Sequence, residues 1–77
     1  MNSKELYVKQ LYEELAVFDF KGTVEEEVFD RGLCFVVKDN GWSVTRSHII
    51  LKKIVCNLRE FCRENEIDDS EFFILIE

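Results

Sequence analysis

The chain reads as a single α+β domain spanning residues 1–77: a helix, an antiparallel sheet of two or three strands, a long amphipathic helix, and a short C-terminal strand or docked segment. Three observations lead there. Residues 47–65 carry one unbroken helical period, residues 33–45 are β-branched and aromatic around an Asn-Gly pair, and residues 72–76 form a continuous apolar run. With 77 residues, the chain has no room for a second core. A domain of this size buries only about 60% of the surface its unfolded chain exposes. A hydrophobic content of 47% and the absence of proline argue against disorder.

The first helix starts at the N-terminus. Asn2 and Ser3 are both good caps, and Asn2 with Glu5 has the spacing of a capping box. Tyr7, Val8, Leu11, Tyr12 and Leu15 then recur at helical steps, and the pattern ends near Leu15 or Ala16. Phe18 and Phe20 next alternate with Val17, Asp19 and Lys21 up to Gly22-Thr23, which predicts a first strand.

Thr23 to Phe29 fits either a strand or an exposed acidic loop. As a strand it would place Val24, Glu26 and Val28 on one face and Glu25, Glu27 and Phe29 on the other. Asp30-Arg31-Gly32 is a turn signal, and Leu33 to Lys38 follows as a strand. Asn40-Gly41 predicts a type I′ hairpin that sets Asp39 opposite Trp42 and Val37 opposite Val44. Leu33, Phe35, Val37, Trp42 and Val44 would then share the face that seats the long helix.

That helix is capped by Ser47 in this reading. Ile50, Leu51, Ile54, Val55, Leu58, Phe61 and Cys62 fall within one arc of about 140°, the core face. His48, Lys52, Arg59 and Arg63 form a basic stripe beside it. Glu66 to Ser70 is a polar connector. Phe72 to Ile76 reads as a strand buried on both sides, because an exposed edge of this composition invites aggregation. It belongs against the sheet or in a dimer interface, with Phe73 and Leu75 as the dimer candidates.

Charge is unevenly distributed. The net charge is −6, yet residues 42–63 hold five bases against one acid while residues 64–77 hold six acids and no base. No apolar stretch approaches the roughly 20 residues of a membrane span, and no secretory leader opens the chain. The expectation is a soluble cytoplasmic protein without a membrane partner. Cys34, Cys56 and Cys62 are odd in number and sit within apolar patterns, which reads as reduced thiols.

Little in the chain points to catalysis. Cys56 and Cys62 lie about 120° apart on the helix and cannot share one ion, so no metal or other cofactor is expected. Ser47 and His48 are neighbours pointing about 100° apart, a poor catalytic pair. The carboxylates cluster without apolar neighbours that would raise their pKa, and no glycine-rich phosphate loop is present. An enzyme is the poorer expectation.

Binding is the better one. Glu25, Glu26, Glu27, Asp30, Asp68, Asp69 and Glu71 could present carboxylates to a basic surface on a host protein, including one that ordinarily holds nucleic acid. A homodimeric structural or regulatory subunit joined through Phe73 and Leu75 is the alternative. RNA binding through His48, Lys52, Arg59 and Arg63, extended by Arg46, ranks lower, because acids elsewhere outweigh that stripe.

A capped N-terminal helix, a strand closing on Lys21-Gly22-Thr23, a strand pair around Lys38-Asp39-Asn40-Gly41, a serine-capped helix and an acidic tail together resemble small phage-borne anti-CRISPR inhibitors of Cas9. The resemblance is one of element order and turn placement. It implies an inhibitor whose loop and tail carboxylates, here Glu25, Glu26, Glu27, Asp68, Asp69 and Glu71, cover a DNA-reading surface. The chain departs from that pattern in its milder charge, its basic helix stripe and its apolar C-terminal segment.

Overall fold

The computed structural model describes residues 2–77. Its elements are α1 (Ser3–Ala16), β1 (Thr23–Phe29), β2 (Gly32–Lys38), α2 (Val44–Glu64) and β3 (Phe72–Ile76). This is the α+β order expected, with both helices on one face of a three-stranded sheet.

Asn2 caps α1 as read, but the return bond from Glu5 is to the Asn2 side chain and not to its backbone N–H, so the capping box forms only in part. The Glu5 backbone N–H donates to Asn2 Oδ1 at 2.8 Å, and Asn2 Nδ2 donates to Glu5 Oε1 at 3.3 Å. Tyr7, Leu11 and Leu15 are its buried stripe. The strand expected over Val17 to Lys21 does not form. The Phe18 and Asp19 N–H groups instead donate to the Leu15 and Ala16 carbonyls, and Asp19 turns into the left-handed region at φ 58°. The alternation of Phe18 and Phe20 has a different cause: both pack onto the core's edge, Phe20 against Trp42 with ring centroids 5.8 Å apart.

Thr23–Phe29 is a strand. It pairs antiparallel with β2, with Val24 opposite Val37 and Phe29 opposite Gly32, through the Asp30-Arg31 turn. Gly22 marks where the chain passes close to the end of β2, since a Cβ there would overlap the Lys38 carbonyl oxygen.

The Asn40-Gly41 hairpin is absent. Val44, expected on a strand opposite Val37, is the first residue of α2, and Val37 pairs with Val24 and Ile76 instead. The physical reason lies in the Asn40 side chain. Its Oδ1 accepts the Trp42 N–H at 2.8 Å and its Nδ2 donates to the Glu77 carbonyl at 2.9 Å, making the dipeptide a strand-to-helix connector tied to the chain's far end. Ser43, not Ser47, caps α2, its Oγ accepting the Arg46 N–H at 3.1 Å. Arg46 accordingly lies in the first turn of the helix.

The core arc of α2 is narrower than expected: Ile50, Ile54, Leu58 and Cys62 are buried and Phe61 packs beside them, whereas Leu51 and Val55 at its margin are half-buried and line an open groove. Glu66 ends the helix in a Schellman arrangement. Its φ is 55°, the Ile67 N–H reaches the Cys62 carbonyl at 2.8 Å, and Ile67 closes onto the core. Glu14 bridges the helices, accepting from Asn57 Nδ2 at 2.6 Å and from Gln10 Nε2 at 3.0 Å.

β3 adds to β2 in parallel, Leu33 opposite Phe72 and Val37 opposite Ile76, so the sheet order is β1-β2-β3 and the sheet is mixed. Parallel pairing needs a long crossover, and α2 supplies it. Phe72, Ile74 and Ile76 face the core, whereas Phe73 and Leu75 are 37% and 48% exposed, so β3 is buried on one side rather than both.

Candidate functional site

With both helices on one face, the other face of the sheet lies open. Alternation and register place Glu25, Glu27 and Phe29 of β1, Cys34, Val36 and Lys38 of β2, and Phe73 and Leu75 of β3 on it. Val36 is at 0% exposure although no helix covers it; it sits in the central strand between its register partners Glu25 and Leu75. Phe29 and Phe73 meet edge to face across the sheet, centroids 5.2 Å apart. The result is an apolar patch of Phe29, Phe73 and Leu75 framed by carboxylates.

The three consecutive glutamates are therefore not one cluster. Glu25 pairs with Lys38 Nζ at 2.8 Å, which holds the lysine's pKa above its ordinary value. Glu26 lies on the helix side and pairs with Lys4 of α1 at 2.6 Å. Among the described residues no base stands within ion-pair distance of Glu27, which lies opposite Cys34. Burial first, and then the Glu27 charge, push the Cys34 thiol up.

Asp30 and Glu71 lie at the same end of the sheet. The Leu33 N–H donates to the Glu71 carbonyl at 2.8 Å, which brings the α2-to-β3 connector against the β1-to-β2 turn. Asp68 is occupied locally, accepting the Ser70 N–H at 3.0 Å, and that bond draws its carboxyl below the ordinary value. Asp69 is separate from the open face and lines the groove between α2 and β3 with Tyr7 and Arg59. Of the seven acids singled out in the sequence, Glu25 and Glu27 thus stand on the open face, and Asp30 and Glu71 lie at the end of the sheet beside it.

His48, Lys52, Arg59 and Arg63 are all exposed on α2. Lys52, Arg59 and Arg63 line an open groove of about 570 Å³ together with Leu51 and Val55. Arg63 makes a loose pair with Glu60 at 3.7 Å. The three cysteines are free, Cys56 exposed and Cys62 buried, and among the described residues no group of three metal-ligating side chains forms. No helix among them is long and apolar enough to cross a membrane.

The aromatic half of the site was not singled out in the sequence beyond Phe73 and Leu75. Phe29 was visible, since period-two alternation already groups it with Glu25 and Glu27. What the local pattern could not show is that β3 would lie two strands away in the register that lets Phe73 meet it. Comparison with protein-family models, with curated proteins and with solved structures gave no match to this chain.

Proposed function

We propose that this protein is a non-catalytic binding module that docks on another protein through the open face of its sheet. One observation carries the reading: Phe29, Phe73 and Leu75 remain 42%, 37% and 48% exposed in one patch on the face that carries Glu25 and Glu27, with Asp30 and Glu71 at the end of the sheet. An aromatic centre with a charged rim is the composition of a protein interface, the aromatics supplying affinity and the carboxylates steering a basic partner. The narrower form of the proposal is an inhibitor or adaptor, phage-borne and cytoplasmic, acting on a host protein such as Cas9 with the carboxylates in place of nucleic-acid phosphates. That form rests on element order in the sequence.

The test is affinity capture from a bacterial lysate with the tagged chain, with Glu25→Lys/Glu27→Lys and Phe73→Asp as separate variants. The proposal expects one protein captured by the native chain, lost with either variant and released by salt. A protein captured equally by all three forms would remove the open face from the account. A second reading, a homodimer through Phe73 and Leu75, draws on the same exposed patch. It expects a dimer mass by light scattering that returns to monomer with Phe73→Asp. RNA binding through His48, Lys52, Arg59 and Arg63 would instead survive both variants and fail with Arg59→Glu.

A further inference from the structure

The outer edge of β3 is the second place where the fold is left open. β3 ends the strand order, so one of its edges has no strand partner among the described residues. In a parallel ladder, alternate residues of each strand bond to the same neighbour. The Leu33 N–H donates to the Glu71 carbonyl at 2.8 Å and the Glu77 N–H to the Val37 carbonyl at 2.9 Å, so the odd-numbered residues of β3 bond to β2. The main-chain N–H and C=O groups of Ile74 and Ile76 therefore face the open edge. Sheet edges in stable proteins are usually blunted by a charge, a proline or a bulge, and the Phe72–Ile76 segment has none within it.

A groove of about 340 Å³ runs beside this edge between β3 and α2, its walls including Tyr7, Val55, Arg59, Asp69, Phe72 and Ile74. It shares Val55 and Arg59 with the larger groove lined by Lys52 and Arg63, so the two adjoin. Among the described residues no carboxylate stands within ion-pair distance of Lys52 or Arg59. Lys52, Arg59 and Arg63 thus outnumber the carboxylates of Glu60 and Asp69 along the two grooves, in a protein of net charge −6.

We infer that the β3 edge accepts an extended acidic peptide segment of a partner protein as a fourth strand. Main-chain hydrogen bonds to Ile74 and Ile76 fix its register. Strand alternation sends every second side chain toward α2, where carboxylates meet Lys52 and Arg59, and the others outward beside Phe73 and Leu75, where apolar groups extend the patch. A basic segment is disfavoured on the groove side by the same charges. This site goes beyond the open-face reading: it borders Phe73 and Leu75 of that face but is tested apart from it, because Lys52 and Arg59 take no part in the open face.

The experiment uses a short fluorescein-labelled peptide of alternating valine and glutamate, titrated against the full chain by anisotropy, with amide spectra recorded in parallel. The expected result is saturable binding, slowed exchange of the Ile74 and Ile76 amides, and affinity about tenfold weaker in Lys52→Glu/Arg59→Glu. Glu25→Lys/Glu27→Lys should bind the peptide as the native chain does. Equal binding of a valine and lysine peptide would overturn the inference, as would binding that leaves the Ile74 and Ile76 amides unchanged. Protection of those amides without peptide, together with a dimer mass, would show the edge to be occupied by a second copy and would also overturn it. So would a single-stranded RNA perturbing α2 where the acidic peptide perturbs nothing. Since Lys52 and Arg59 are exposed, circular dichroism of the double variant should match the native chain.

Discussion

Phe29 and Phe73 stack edge to face, 5.2 Å between ring centroids and 67° between planes, across the open side of a sheet in which they occupy opposite outer strands. Phe29 lies opposite Gly32, which carries no side chain, and Phe73 lies opposite Cys34. This contact joins the β1-β2 hairpin to the end of the chain on the face no helix covers, and it builds the patch to which a binding role is assigned.

Replacing Phe73 with Asp removes that contact while leaving the helix-side core intact. An aromatic pair contributes about 0.5–1.5 kcal/mol beyond its burial. The loss in a urea unfolding curve should be about 1–2 kcal/mol, with circular dichroism unchanged and partner capture abolished. A loss above about 4 kcal/mol would place Phe73 in the core.

Gly32 is held at φ 142°, and a Cβ there would overlap the Glu71 carbonyl oxygen. Gly32→Ala must therefore strain the backbone and push the connector away from the Leu33 N–H that bonds it. The expected cost is about 2 kcal/mol or more, read from the urea midpoint. Gly41→Ala makes a useful contrast, because φ is positive at 74° there too but nothing lies within 4 Å of the added carbon. Its cost should be the smaller of the two.

The two serines near the start of α2 provide a test of where the helix begins. Ser43→Ala removes the cap on the Arg46 N–H and should cost about 1 kcal/mol. Ser47→Ala, inside the helix, should stay within about 0.5 kcal/mol of native. The reverse ranking would restore the shorter helix.

Alkaline pH should destabilise the fold. Burial, reinforced by Cys62 and Asp69 and opposed by Arg59, raises the Tyr7 phenol well above its ordinary value. Burial also pushes the Cys62 thiol up. In both cases the unfolded chain ionises first, so the folded state binds more protons and stability falls as pH rises. The window opens above about pH 8.5 for the thiol and about pH 10 for the phenol. Tyr7→Phe should flatten the upper part of the decline in unfolding curves measured from pH 8 to pH 11.

The helix α2 was legible because its burial repeats locally: Ile50, Ile54, Leu58 and Cys62 are spaced by the helix's own period, and all four are buried. The Asn2-Glu5 cap was legible for the same reason, both partners lying within one turn. Asn40-Gly41 misled because the carbonyl that claims the Asn40 amide belongs to Glu77, at the far end of the chain. Phe18 and Phe20 misled because an alternating pair of aromatics can also be a loop folded onto a core edge, here beside Trp42. Whether 72–76 would pair in parallel could not be read from five apolar residues, since the direction is set by the crossover of α2. The acids showed the converse limit. Glu25, Glu26 and Glu27 are adjacent in sequence, yet the pleat sends the middle one to Lys4 and leaves its neighbours on the open face.

The most direct test of that face is photo-crosslinking from single positions. A benzophenone amino acid is placed at Phe73 in one form of the chain and at Arg63 in another, and each is irradiated in the lysate used for capture. The account predicts a crosslinked partner from position 73, lost when Glu25→Lys/Glu27→Lys is added, and none from position 63. A partner crosslinked from position 63 alone would contradict it and assign the binding surface to the basic side of α2.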